Sequence, residues 1–89
     1  MKYRSRNHII SEILDAASGG GATKSKLMYT AFLNNKLLKK YLMPLLTENN
    51  LLSFDEQTRT FKTTEKGLRF LDKYHLIEVM IKEEEEKKN

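Results

Sequence analysis

The sequence predicts an α+β fold that is mainly α-helical, with three short helices, one β-hairpin and a longer C-terminal helix. Apolar residues recur at helical spacing in three segments before residue 50, two strand-like segments follow, and the helical period resumes after Thr64. The chain has 89 residues, of which 39% are hydrophobic. Such a chain can bury one modest core but not a core plus an enclosed active-site cavity, so a binding module is favoured over an enzyme.

The first two helices begin at residues that can cap them. The first covers 6–17, after Ser5, and stops at a run of three glycines. Its apolar residues share one face: Ile9, Ile10, Ile13, Leu14 and Ala17. Thr23 can cap the second helix. The inner face of that helix is predicted to hold Leu27, Met28, Ala31 and Phe32. Asn34 and Asn35 are expected to end it, because asparagine tolerates the left-handed conformation.

A third helix, over 36–48, is predicted to be basic on its exposed side. The apolar side holds Leu38, Tyr41, Leu42, Leu45 and Leu46. Lys36, Lys39 and Lys40 lie on the other side. Pro44 removes one backbone hydrogen bond and its ring clashes with the preceding turn, at a cost of roughly 3 kcal/mol. The helix is therefore expected to kink or to end near Met43.

A hairpin and a final helix complete the prediction. Segments 51–54 and 59–63 are predicted strands, joined by a polar turn at 55–58. Thr64 can cap the last helix, in which apolar residues fall on two helical lines. One line contains Leu71, His75 and Val79, and the other contains Phe70, Tyr74, Ile77 and Ile81. The charged residues from Glu83 onwards are expected to be solvated.

Charge is divided unevenly along the chain. The formal net charge is +4, yet residues 1–73 hold 13 Lys and Arg against 7 Asp and Glu. This surplus favours polyanionic partners such as nucleic acids. With no cysteine and two isolated histidines, His8 and His75, the sequence predicts no metal and no cofactor. No apolar run approaches the length of a membrane span, and the chain is expected to stay in the cytoplasm without membrane contact.

Three helices with a short turn before the third, followed by a hairpin, form the element order of a winged helix-turn-helix. In such folds the third helix fits the DNA major groove. Three stretches also carry a resemblance, over nearly the whole chain, to small archaeal winged-helix DNA-binding proteins described as chromatin-associated proteins or predicted transcriptional regulators. They are 23–29 (TKSKLMY), 38–42 (LKKYL) and 63–71 (TTEKGLRFL). The resemblance implies that the chain binds double-stranded DNA, as a transcriptional regulator or an architectural chromatin protein associated with the nucleoid.

The candidate DNA contacts come from three elements. They are Lys24, Lys26, Asn34, Asn35, Lys36, Lys39, Lys40 and Arg59. The lysines are candidates for phosphate contacts and the asparagines for contacts with adenine edges. Arg59 lies in the hairpin, which is the wing of such a fold, and is a candidate for a minor-groove contact. Simpler readings stay open: the lysines could be an ordinary solvated face, and the asparagines could form a turn and an N-cap.

The resemblance further implies that two C-terminal helices pair as an antiparallel coiled coil, which makes the protein a homodimer. The expected interface contains Phe70, Tyr74, Ile77 and Ile81. On this reading residues 1–63 form the DNA-binding domain and residues 64–89 the dimerisation helix. A different function remains open, in which the winged helix contacts proteins and binds no DNA. Its adhesive surface would then include Leu37, Leu76, Ile77, Met80 and Ile81.

Overall fold

The computed structural model describes residues 5–88, with side chains for all of them except Thr47 and residues 85–88. The elements in chain order are helix α1 (Arg6–Ala17), α2 (Lys24–Ala31), α3 (Asn35–Met43), a π-helical turn (Pro44–Glu48), strands β1 (Leu52–Asp55) and β2 (Thr60–Thr63), and helix α4 (Glu65–Lys88). The predicted order of three helices, one hairpin and a longer final helix is confirmed.

Each helix begins at a side chain that accepts a hydrogen bond from an otherwise unpaired backbone N–H. The caps of α1 and α2 are Ser5, which accepts from the N–H of His8 at 3.0 Å, and Thr23, which accepts from that of Lys26 at 3.2 Å. Thr64 accepts from the N–H of Gly67 at 3.0 Å. Capping satisfies donors that the first helical turn leaves unpaired, so these side chains fix where each helix starts.

The prediction that Asn34 and Asn35 end α2 is wrong. Asn34 is the N-cap of α3, and its Oδ1 atom accepts from the N–H of Leu37 at 2.8 Å. The left-handed residue that ends α2 is Phe32, with φ 55° and ψ 48°. Only two residues separate α2 from the cap of α3, so the turn between the two helices is short.

Pro44 ends the regular α-helix at Met43, as the sequence predicts. The chain does not leave the helical path there but widens into a π-helical turn, in which the N–H of Asn49 donates to the carbonyl of Pro44 at 2.9 Å. The wider turn keeps Leu45 in the core, where its side chain is fully buried. A proline that cannot continue the α-helical ladder is thus accommodated without losing the apolar contact that follows it.

The hairpin is antiparallel, and Phe54 pairs with Phe61 in its register. Strand β2 has hydrogen bonds on both edges, because Ala22 and Phe61 exchange N–H to carbonyl bonds of 2.8 and 2.7 Å. The short segment between α1 and α2 is therefore tied to the hairpin. This contact anchors the base of the wing to the helices.

One apolar core holds the helices and the hairpin together. Its largest fully buried side chains are Ile13, Leu14, Leu27, Leu38 and Leu45. Helix α4 contributes Leu71 to the core, whereas the described residues from His75 to Glu84 are all exposed. The molecule measures 51 × 28 × 22 Å. The second half of α4 thus extends away from the core.

Candidate nucleic-acid interface

Helix α3 presents a basic face opposite the core. Lys36, Lys39 and Lys40 have the spacing i, i+3, i+4, which places them on one side of an α-helix, and all three are exposed. On the opposite side Leu38 and Leu42 are buried. The sequence contains no Asp or Glu between residues 16 and 47. The positive charge of this face is therefore not offset by a carboxylate on α2 or α3.

Met43 belongs to the same face and was missed from the sequence. It follows Lys36 by seven residues and Lys39 by four, so it completes the i, i+3, i+4, i+7 pattern. Its side chain is 62% exposed. The helical spacing alone could have identified it, whereas the charge pattern includes only the lysines.

The two asparagines at the start of α3 differ in what their side chains can do. Asn34 uses its Oδ1 atom for the cap. A two-point contact with adenine needs both the oxygen and the nitrogen of the amide, so it would compete with that cap. Asn35 is exposed in the first turn of α3. Of the two, Asn35 is the better placed for a base edge.

Helix α2 brings two more of the candidate lysines to its first turn. Lys26 is exposed and Lys24 is half-buried, both directly after the cap at Thr23. The first turn of a helix carries unpaired N–H groups and the positive end of the helix dipole. A phosphate group is therefore favoured at this position, with the two ammonium groups beside it.

Arg59 lies in the wing, immediately before β2, and is exposed. Its backbone is left-handed, with φ 55°. The turn before it is held by Asp55, whose Oδ1 atom accepts from the N–H groups of Gln57 at 2.9 Å and Thr58 at 3.4 Å. These bonds lower the pKa of the Asp55 carboxyl below its usual value, the Gln57 bond contributing most.

A small groove joins the basic face to α1. It has a volume of ≈ 250 Å³ and is lined by Arg6, Leu37, Lys40, Tyr41 and Pro44. Arg6 stands at the start of α1, 34 residues from Lys40 in the chain, and it adds a cation beside the lysines. No local sequence pattern links these two residues, because their proximity comes from the tertiary fold.

The predicted dimer residues on α4 fall into two pairs. Phe70 packs against the core, and the Tyr74 hydroxyl lies 3.1 Å from His8 Nδ1 on α1. Partial burial, with the Glu78 carboxylate nearby, raises the pKa of the Tyr74 hydroxyl. Ile77 and Ile81 are each more than half exposed. Only the second pair presents most of its surface to solvent.

The described part of the chain contains neither a candidate metal site nor a candidate membrane span. Among the side chains that the structure describes, no group of three His, Asp or Glu is arranged to hold a metal ion. His8 instead lies 3.5 Å from the Glu12 carboxylate and contacts Tyr74. Over the same residues, none of the helices combines the length and the apolar character that a membrane span needs.

Comparison with known proteins agrees with this architecture. A family model described as winged helix-turn-helix matches residues 3–82. The crystal structure of Sso10a-2, a DNA-binding protein from Sulfolobus solfataricus, is similar with a TM-score of 0.73 and 21% sequence identity, covering 94% of this chain and 92% of that one. At this identity the likeness shows a common fold. No curated protein sequence matches the chain.

Proposed function

Because the chain belongs to the winged helix-turn-helix family, we propose that it binds double-stranded DNA, with α3 in the major groove and the wing against the minor groove or backbone. One observation carries the proposal: the exposed face of α3 holds three lysines, and no carboxylate lies on α2 or α3. The DNA binding named for the Sulfolobus protein of the same fold supports it.

The roles follow from position. Lys36, Lys39 and Lys40 neutralise phosphates on the two sides of the groove, while Asn35 reaches a base edge. At the start of α2, Lys24 and Lys26 contact the backbone, and Asn34 serves mainly as the cap of α3. Arg59 contacts the minor groove, where negative potential favours arginine. These groups bind and orient DNA, and the proposal includes no catalytic step. The protein would act as a regulator or chromatin protein of the nucleoid.

The proposal includes a homodimer formed through the second half of α4. Five apolar residues there are each more than half exposed: Leu76, Ile77, Val79, Met80 and Ile81. Soluble monomers seldom leave such a dense apolar segment uncovered. Because Phe70 and Tyr74 pack within their own protomer, Ile77 and Ile81 carry the contact between protomers. The first turns of α4 then belong to the DNA-binding domain, and the dimerisation segment begins near residue 75.

The test is the binding of a labelled 20-base-pair duplex of random sequence, measured by fluorescence anisotropy at several salt concentrations. Wild-type affinity should fall steeply with salt, because each neutralised phosphate contributes about 0.9 to the slope of log K against log salt. Replacing Lys39→Ala together with Lys40→Ala should reduce that slope by about 1.8 and weaken binding at low salt.

A matched control removes two exposed lysines elsewhere, Lys66→Ala with Lys73→Ala on α4. This pair lowers the net charge equally but lies outside α2, α3 and the wing, so the slope should stay close to that of wild type. If both double variants lose the same affinity, α3 has no special role. If the wild type does not bind the duplex even at low salt, the protein does not function through DNA, and the exposed apolar residues of α4 become the surface to study.

A further inference from the structure

Met43 is an apolar side chain within the basic face of α3. It follows Lys39 by four residues and Lys40 by three, and it is 62% exposed. Lysines in this position bring phosphates to the helix, and phosphate contacts carry no information about base sequence. A thioether side chain cannot pair with a phosphate. Any contact that Met43 makes with DNA must therefore be of another chemical kind.

The backbone around Met43 is fixed on both sides. Leu42 is buried in the core, and Pro44 ends the α-helix and begins the π-helical turn. Met43 itself is helical, with φ −57° and ψ −54°. In a helix the Cα–Cβ bond tilts toward the N-terminus, so the Met43 side chain leans toward the turn that carries Lys39 and Lys40. The thioether thus lies on the surface that faces a duplex when those lysines bind phosphates.

We propose that Met43 contacts the 5-methyl group of thymine in the major groove and thereby gives the protein a preference for an A·T pair at that point. The inference rests on the proposed function, since it requires α3 in the groove. Thymine is the one standard base that presents a methyl group on the major-groove edge, and apolar side chains read it by direct contact. A flexible, polarisable methionine adapts well to such a contact.

The experiment compares two duplexes of the same A·T-rich sequence, one with thymine and one with deoxyuridine at every thymine position. The second lacks only the methyl groups. Burial of one group of this size corresponds to about a fourfold change in affinity, so wild type should bind the thymine duplex about four times more tightly. Met43→Ala should bind the two duplexes equally and keep the wild-type salt slope, because it changes no charge.

A matched control is Leu68→Ala, which removes an exposed apolar side chain from the first turn of α4, away from both the basic face and the proposed dimer contact. This variant should keep the fourfold preference for thymine. Thermal unfolding should give Met43→Ala nearly the stability of wild type, because the side chain is mostly exposed. The inference is overturned if wild type binds both duplexes equally, or if Met43→Ala still prefers thymine. Absence of binding to either duplex at low salt would instead reject the proposed function.

Discussion

Gly67, in the first turn of α4, shows how closely this helix approaches the rest of the fold. A Cβ atom added there would meet the carbonyl oxygen of Leu51 well inside van der Waals distance, and the Thr63 methyl at 2.6 Å. The same carbonyl accepts a hydrogen bond from Thr64 at 3.0 Å. Absence of a side chain therefore lets the helix start directly against the base of the wing.

Gly67→Ala should lower the free energy of unfolding by about 2–3 kcal/mol, because backbone atoms must move to admit the methyl group. Urea denaturation would measure the change. Gly20→Ala is the control, since no atom lies within 4 Å of its added Cβ and its φ is not positive. It should change stability by less than about 0.5 kcal/mol. Equal effects of the two substitutions would mean that α4 does not approach Leu51 this closely.

Individual residues also show why part of the candidate site could be predicted from the sequence and part could not. Lys36, Lys39 and Lys40 are set on one face by helical spacing alone, and their exposure follows from the burial of Leu38 and Leu42. The same spacing extends to Met43. Arg6 is different, because only the packing of α1 beside α3 brings it to the groove that Lys40 lines. The candidate site could therefore be predicted within one helix but not between helices.

At the scale of elements, capping and proline chemistry made most boundaries predictable. Ser5, Thr23 and Thr64 each start a helix, and Pro44 ends α3, because these effects act within one turn of chain. The left-handed residue at Phe32 was not predictable, since a bulky side chain disfavours that conformation by roughly 1–2 kcal/mol. Closure of the turn between two packed helices imposes it. The π-helical turn likewise depends on the burial of Leu45 in the core.

The stability of the turn in the wing should depend on pH through Asp55. Hydrogen bonds from the Gln57 and Thr58 N–H groups favour the ionised carboxylate, so its pKa is lower in the folded wing than in the unfolded chain. A lowered folded-state pKa contributes stability above the unfolded value, and this is lost as pH falls through the folded value. The turn should therefore loosen only in acid, below the usual aspartate pKa of about 3.9.

NMR titration of the wing amides would test this expectation. In wild type the amide protons of Gln57 and Thr58 should shift together with the Asp55 carboxyl as the solution is acidified. Asp55→Ala should abolish that coupled transition while leaving the amides of α1 unchanged. Amides at 57 and 58 that titrate with the same midpoint in the variant would show that another group holds the turn.

At the scale of the whole molecule, α4 connects the DNA-binding domain to the proposed dimer contact. Its first half is part of the protomer, through Leu71 in the core and Tyr74 against His8 on α1. In its second half the described residues from His75 to Glu84 are exposed, and Glu78 contacts the protomer by lying 3.9 Å from His8 on α1. Helical periodicity placed Phe70, Tyr74, Ile77 and Ile81 on one line, but it could not show which of them pack within the protomer. The globular core ends after Tyr74, and of these four residues this leaves only Ile77 and Ile81 exposed.

Ile77→Asp should therefore separate the protomers without unfolding them. Burial of one isoleucine contributes roughly 1.5–3 kcal/mol, and two-fold symmetry places two of them in the contact. Loss of at least about 3 kcal/mol raises the dimer dissociation constant at least about 100-fold. Sedimentation equilibrium over a range of protein concentrations would measure it. Tyr29→Asp, which adds the same charge at an exposed aromatic on α2, should leave the dimer intact.

DNA duplexes of two lengths should distinguish the proposed dimerisation from the proposed DNA contact of a single domain. A short duplex that accommodates one winged-helix domain should bind Ile77→Asp as tightly as wild type, because α3 and the wing are unchanged. A longer duplex engages both domains of a dimer, and the second contact then occurs at a high effective concentration. The variant should lose that gain and bind the longer duplex more weakly than wild type. If wild type sediments as a monomer, or if Ile77→Asp remains dimeric, the contact does not lie on the second half of α4.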